Sequence, residues 1–398
     1  MQRSVLLPLL FLAASNTTPP ERYSFVATLG NDTVSVERIE RAPTRLVTDG
    51  VDRWPFVRRR HTVFDLNPDG TIRHMVMNVR TPNGATSRER GRRITADFSN
   101  DKVSISVRDS GGVRDNSFAT GGAITVPHAS MMYSVIELEI AAALRRAEAA
   151  GLAPGDSVMF RQFYPDRDVG PSFTLHRGFV YPKPGGKVEL RHDWLAGTGD
   201  VTIDSSGRMQ TYSGMRTTYK VAVARTTAPL DVAAIGDRLE AGERRTGPAQ
   251  LSMRDTTRAT IGSATFSVDY SRPLARGRKL LGNVIAYDRV WRTGANAATQ
   301  FTTSAPIRLA GLTVPAGTYT LWTAPHVRGV DLIVNRQTGQ WGTEYGRAHD
   351  LGTAPMKVDS VKSPVEKFTI SIEPRDARRG TLAMAWGAFR WTVPIEIQ

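Results

Sequence analysis

The sequence predicts a mainly β protein of two domains, an N-terminal antiparallel β-sheet domain with one packed helix and a C-terminal β-sandwich. Three observations lead there. A chain of 398 residues is long for a single core. Short two-residue alternations separated by turn chemistry recur along most of it. Helical periodicity is confined to one long segment and one short one.

The first domain is expected over residues 16–227. Tyr23 to Leu29 alternates, meets Gly30-Asn31-Asp32, and Thr33 to Val36 begins a partner strand. Asn67-Pro68-Asp69-Gly70 separates two further strands, His61 to Leu66 and Thr71 to Val79: proline presets φ, and glycine accepts a positive one. Val103, Ile105 and Val107 alternate with polar neighbours, as on a half-buried strand. The one long helix opens at Ser134, where Ser134 and Glu137 have capping-box spacing, and stops at Gly151. Strands resume at Ser157 to Tyr164, Phe173 to Tyr181, Lys187 to Leu195, Val201 to Asp204 and Tyr219 to Ala224. A sheet curled round a single helix is the simplest assembly. Its architecture weakly resembles periplasmic lipoprotein-carrier folds, with no motif to anchor the likeness.

Residues 228–258 are charged and broken by Gly242, Gly247 and Pro248, which predicts a short helix near Asp231 to Leu239 and then a linker. From 259 to 398 strand signals return, from Thr265 to Tyr270 through Phe389 to Ile397, and the two-faced alternation predicts the sandwich.

Composition and charge bound the function. Residues 1–15 pair Arg3 with an apolar run, Val5 to Ala14, and small residues at Ala13-Ala14-Ser15, the layout of a secretory signal peptide. The run is too short for the ~20 residues that span a bilayer. A periplasmic or secreted protein beginning near Asn16 is therefore expected, without a transmembrane segment. The chain has no cysteine, which excludes disulfides, thiolate nucleophiles and Cys-ligated metals. Its net charge of +14 is scattered rather than gathered on a nucleic-acid-binding motif, so attraction to an anionic envelope component is expected and specific nucleic-acid binding is not.

Several chemistries lack their motifs. There is no Gly-x-Ser-x-Gly elbow, no phosphate-binding glycine loop and no His-Glu-x-x-His spacing, and no cofactor or metal is expected. Ser99 to Lys102 matches Ser-x-x-Lys and Asp109-Ser110-Gly111 matches an aspartic-protease triplet, but both read as hairpin turns. The seven histidines are dispersed. His192-Asp193 and His349-Asp350 could pair a base with its orienter, and a constellation of His326, His349 and Asp350 is the catalytic alternative.

Tyr270-Ser271-Arg272-Pro273, Arg276-Gly277-Arg278, Val290 to Asn296, Pro315 to Tyr319 and Gln340-Trp341-Gly342 occur in that order. This set resembles the bacterial domain-of-unknown-function family numbered 2911 over about residues 259–397. The resemblance implies an exported protein and no assigned activity. The family often has Asn-Glu-Ala-Thr where this chain has Asn296-Ala297-Ala298-Thr299, so a mechanism needing that carboxylate does not transfer.

The same residues carry the binding reading. Arg272, Arg278 and Arg292 are guanidinium forks beside Gly and Pro turns and suit carboxylates or phosphates. Asn296 closes the Trp-Arg-Thr-Gly-Ala-Asn string, and Trp291 and Trp341 offer flat faces. The alternatives for these residues are loop-capping arginines and core tryptophans. Arg292 is expected either to clamp a buried carboxylate or to meet an anionic or small polar ligand. The expected function is a non-enzymatic binding module, with a loop-borne hydrolase and a structural assembly module as alternatives.

Overall fold

A computed structural model describes residues 19–84, 86–153, 155–165, 175–193, 197–249 and 251–398. The expected signal segment lies outside them, as do Phe173 and Leu195 at the ends of two expected strands.

The first sheet is built from β1 (Glu21–Leu29), β2 (Asp32–Ala42), β3 (Arg45–Arg53), β4 (Val57–Leu66), β5 (Ile72–Arg80), the one-turn helix α1 (Ser87–Arg90), β6 (Gly91–Phe98), β7 (Lys102–Asp109), β8 (Gly112–Ala119) and β9 (Ile124–Pro127). Helix α2 (Tyr133–Ala149) follows, then β10 (Val158–Phe163), β11 (His176–Lys183), β12 (Lys187–His192), β13 (Gly197–Ile203), β14 (Met209–Thr217) and β15 (Ala222–Thr226). All fifteen strands form one sheet in the order β8 to β1, then β15 back to β9. Every neighbouring pair is antiparallel except β9 with β10. The predicted turn at Asn67 to Gly70 joins β4 and β5, with Gly70 at φ 74°. The Ser99 and Asp109 segments are hairpin turns: Ser99 N donates to Lys102 O (2.8 Å), and the Asp109 carboxylate accepts from Gly111 N (2.7 Å).

The sheet wraps α2, whose residues Tyr133 to Ala143 are all buried. Alternating apolar side chains supply the lining, among them Phe25, Ile39, Phe64, Met77, Ile94, Phe160 and Val180. A helix buried all round must also satisfy its polar groups, and here the sheet does so. The expected capping box at Ser134 and Glu137 does not form. The N-cap is Met132, with no side-chain cap of its own. Glu37 on β2 caps the helix instead, accepting from Tyr133 N (2.8 Å), Ser134 N (2.9 Å) and Ser134 Oγ (2.5 Å). Glu137 turns inward to accept from Tyr23 Oη and Met209 N (3.1 Å), with Arg41 at 3.4 Å. Glu139 lies 3.3 Å from both Gln162 Nε2 and His192 Nε2. A sheet that encloses a helix can reach its end from across the fold, which local spacing cannot show.

The expected linker is largely structured. Asp231 caps helix α3 (Val232–Thr246) by accepting from Ala234 N (2.9 Å), and Gly247 closes it at φ 75°. Val232, Ile235 and Leu239 cover Val36, Val51 and Val57 on the outer face of the first sheet. Arg59 fastens the helix to β4 through Asp237 (2.6 Å) and Glu240 (2.5 Å). The charged composition of this segment is the solvent side and rim of an amphipathic helix.

The second sheet comprises β16 (Ser252–Ile261), β17 (Ala264–Pro273), β18 (Thr299–Thr303), β19 (Ile307–Leu309), β20 (Leu312–Val314), β21 (Gly317–His326), β22 (Gly329–Asn335), a 3-10 turn (Arg347–His349), β23 (Asp350–Pro374) and β24 (Arg379–Ile397). Its strands run β16-β17-β18-β21-β22-β23-β24-β19-β20. The long strands β23 and β24 carry the sheet round until β16 and β17 face the far half of β23. Thr257 Oγ1 donates to Ile370 O (2.7 Å) and Tyr270 Oη accepts from Ile370 N (3.0 Å) across that layer. Phe301, Phe368, Trp386, Trp391 and their neighbours fill the space between.

Candidate anion-binding site

The two sheets meet at the β1–β2 turn. Asn31 N donates to Arg276 O (3.0 Å), and the Arg276 guanidinium pairs with Asp32. Arg276 N in turn donates to Glu366 on β23 (2.9 Å). Gly30 is required here twice over. Its φ is 63°, and a Cβ on it would sit 2.1 Å from Arg276 O.

Three cations gather beside this contact. Lys220 lies in the tight turn before β15, where Val221 N donates to Tyr219 O (2.6 Å), and its ammonium is close enough to Arg278 and Arg292 to feel their charges. Its ammonium donates to Met215 O (2.5 Å). Arg278 lies against the bare face of Gly30, its Cγ 2.9 Å from where a Cβ would be. It donates to Ala275 O (3.0 Å) and Leu274 O (2.5 Å). Arg292 donates to Asn296 O (3.2 Å). Among the described residues these are the hydrogen bonds of the three side chains, all to carbonyls, and none of the three has an ion-pair partner.

The electrostatic consequence is direct. Burial, and then the positive charges of Arg292 and Arg278, push the Lys220 ammonium down to about 8. Burial and then Arg276 lower Arg278 to about 10, with Glu366 opposing. Burial alone lowers Arg292. Like charges partly removed from water and served by neutral oxygens are an unfavourable arrangement that an anion would relieve.

Arg292 is held by a strained turn. Thr293 and Asn296 have φ of 52° and 60°. For a buried β-branched threonine that conformation costs ~1–3 kcal/mol. Surrounding bonds impose it: Thr299 Oγ1 donates to Thr293 O (2.6 Å), and Thr293 Oγ1 to Thr323 Oγ1 (3.2 Å). Asn296 O also accepts from Gly342 N (2.9 Å), where a Cβ would meet Arg292 Cδ at 2.3 Å. Trp341, 50% exposed, bridges to Ala297 beside it. Arg292, Asn296 and Trp341 are therefore neighbours, as a shared site requires. Among the described residues no carboxylate pairs with Arg292, whose hydrogen bond goes to Asn296 O, so of its two readings the carboxylate clamp is not the one seen.

Other predicted binding residues fall elsewhere. Trp291 stacks on Trp386 (5.9 Å, 7° between planes) and meets Phe368 edge-on (5.2 Å), which makes it a core residue. Arg272 ties β17 to β16 and β23 through Asp255 (2.8 Å), Thr369 Oγ1 (2.7 Å) and Phe368 O (3.0 Å). Lys220 was not legible as a site residue. It stands alone in its stretch of sequence, and only the turn between β14 and β15 brings it near Arg278 and Arg292.

Residues 252–395 match the model of a family described as a protein of unknown function, DUF2911. The C-terminal domain matches that family. Arg278, Arg292, Asn296 and Trp341 lie within the DUF2911 region, whereas Lys220 lies outside it. No curated protein matches the chain. Among solved structures, a DUF1089 family protein from Pseudomonas aeruginosa aligns over 47% of this chain and 92% of its own, at 15% identity and a TM-score of 0.34. A likeness of that size carries no inference.

The catalytic alternative also sits in the DUF2911 region, and its parts do not converge. His326 pairs with Gly329 at one end of β22, while Asp350 pairs with Asn335 at the other. His326 is exposed between Asp288 (2.6 Å) and Asp331 (3.4 Å), which raise its pKa. Asp350 accepts from Asn335 Nδ2 (2.8 Å) and Tyr345 Oη (2.6 Å). His349 follows in the 3-10 turn, its backbone oxygen accepting from Arg336 N (2.8 Å). His192 and Asp193 also part company: His192 faces Glu139 inside the sheet, and Asp193 accepts from Arg177 N (2.9 Å) at its edge. Among the described residues no group of three or more His, Asp and Glu side chains could hold a metal ion.

Proposed function

We propose that the protein is exported and binds an oxyanion, a phosphate or carboxylate group, at the junction of its two sheets, without catalysing a reaction. The observation that carries this reading is the half-buried trio Lys220, Arg278 and Arg292, whose partners are carbonyl oxygens. Arginine forks and an ammonium supply charge-assisted donors of the kind that recognise such groups. Trp341 adds a flat apolar face beside Arg292, suited to the uncharged part of a larger ligand. The charge layout of residues 1–15 supports export, and a native N terminus near Asn16, read by N-terminal sequencing, checks it.

Calorimetric titration of the full chain with phosphate and with citrate tests the site. Lys220→Met should weaken binding of whichever anion binds by about tenfold or more. Removing a desolvated cation should meanwhile leave stability within ~1 kcal/mol of wild type or raise it, as at sites kept for function rather than folding. Unchanged affinity in the variant contradicts the proposal.

The pH dependence has a definite sign. Between about 8 and the ordinary lysine value, the unfolded chain binds more protons at Lys220 than the folded chain does. Stability therefore rises with pH across that window from this group. Anion affinity falls over the same range as the ammonium is lost.

A further inference from the structure

A second cationic site lies in the N-terminal sheet and shares no residue with the junction. An open cleft of about 340 Å³ lies between the start of β1, the β2–β3 and β4–β5 turns, and the exposed half of α2, and Glu21, Arg41, Pro43, Pro68, Arg145 and Arg208 line it. Arg145 makes no hydrogen bond or ion pair with any described residue. It is nevertheless held in place. Its guanidinium lies on the bare face of Gly70, where a Cβ would come within 2.1 Å of Nη2 and 2.8 Å of Cζ. The residue at that place also needs φ of 74°, so the turn that a glycine makes possible is the floor on which Arg145 rests.

The surrounding charges do not balance. Glu21 serves Arg208 (3.3 Å) and Arg225, and buried Glu137 serves Arg41 (3.4 Å) and Arg225 (3.6 Å) while accepting from Tyr23 and Met209. Four guanidinium groups thus face two carboxylates. Asp69, a third acid nearby, accepts from Thr71 N (2.9 Å) and Thr71 Oγ1 (2.6 Å) within its turn and keeps its charge, so the balance remains positive by one. Burial, Arg41 and Arg208 lower the Arg145 pKa, and Asp69 opposes them.

We infer that this cleft binds a dianionic oxyanion of the phosphate-monoester class, with Arg145 as its principal contact and Arg41 and Arg208 as flanking charges. The net positive charge that remains even with Asp69 counted, together with an arginine fork that no described residue engages, suits a phosphate monoester, which carries about −1.5 to −2 at neutral pH and offers three oxygens. Arg145 offers a free planar fork for two of its oxygens. The monoester could belong to a soluble metabolite or to a lipid headgroup, and the two are separable by experiment.

The test is calorimetric titration of the full chain with glycerol 3-phosphate, with acetate as the monoanion, and co-sedimentation with phosphatidic acid vesicles. Glycerol 3-phosphate should bind saturably and more tightly than acetate. Arg145→Gln should weaken it about tenfold or more, whereas Arg145→Lys, which keeps the charge but loses the two-pronged fork, should weaken it less than Arg145→Gln does. Lys220→Met should leave this binding unchanged, which separates it from the junction. Melting curves of both Arg145 variants establish that they are folded. Binding of vesicles alone, lost in Arg145→Gln, assigns the same site to a lipid headgroup. Absence of saturable binding by both probes overturns the inference, as does binding that Arg145→Gln leaves intact.

Discussion

Glu37→Ala should destabilise the protein by ~3–5 kcal/mol, the largest single effect expected in the N-terminal sheet. The carboxylate is fully buried and accepts from two backbone amides and one hydroxyl at the start of α2. Burial raises its pKa, and the donors from Ser134 and Tyr133 pull it back down. Truncation to alanine orphans those donors where water does not replace the acceptor, and it leaves a cavity besides. Glu37→Gln keeps an acceptor oxygen of nearly the same shape and should cost less, ~1–2 kcal/mol, for the lost charge at a helix N-terminus. Denaturant unfolding followed by far-UV circular dichroism measures both. A midpoint for Glu37→Ala within error of wild type would show that α2 does not depend on this cap.

Trp291→Ala should cost ~3 kcal/mol or more, and Trp341→Ala within ~0.5 kcal/mol. Both tryptophans belong to the same set of aromatic residues in the C-terminal domain, and sequence alone offers either as a ligand platform. Structure divides them. Trp291 lies parallel to Trp386 and edge-on to Phe368 and Trp391, so its removal opens the core between the two layers. Trp341 is half exposed beside the Arg292 turn. If Trp341→Ala proves the more destabilising of the two, the assignment of core and surface is reversed.

What was legible in the sequence follows from the range of the interaction concerned. Strands and hairpins depend on neighbours two to six residues away, so Asn67 to Gly70 and Gly30 to Asp32 were readable as turns, and Val103 to Val107 as a strand. The DUF2911 likeness was readable because its motif strings are contiguous. Glu137 was misread as a capping residue because its spacing from Ser134 fits, while its actual partners, Tyr23 and Met209, come from β1 and β14. A short helix was readable near Asp231 to Leu239, but the charged residues beyond it suggested a linker where the helix in fact runs on to Thr246, because amphipathic helices and linkers share a composition. Contacts across the fold distinguish them: Glu240 pairs with Arg59, and Glu243 accepts from Val57 N (2.9 Å). Arg278 and Arg292 stood out by residue type beside turns, but their shared neighbour Lys220 lies more than fifty residues away in sequence, in the turn between β14 and β15.

Lys220 is a strongly perturbed cation of the proposed junction site, and its ammonium can be observed directly. In the full chain with 13C-labelled lysine, Lys220 identified by comparison with Lys220→Met, a pH titration of its Cε resonance should show a midpoint near 8 in the free protein. Saturating phosphate or citrate, whichever binds, should move that midpoint upward, because an anion beside the ammonium favours its charged form. A midpoint in the ordinary lysine range, ~10.4, unmoved by either anion, would contradict the proposed site.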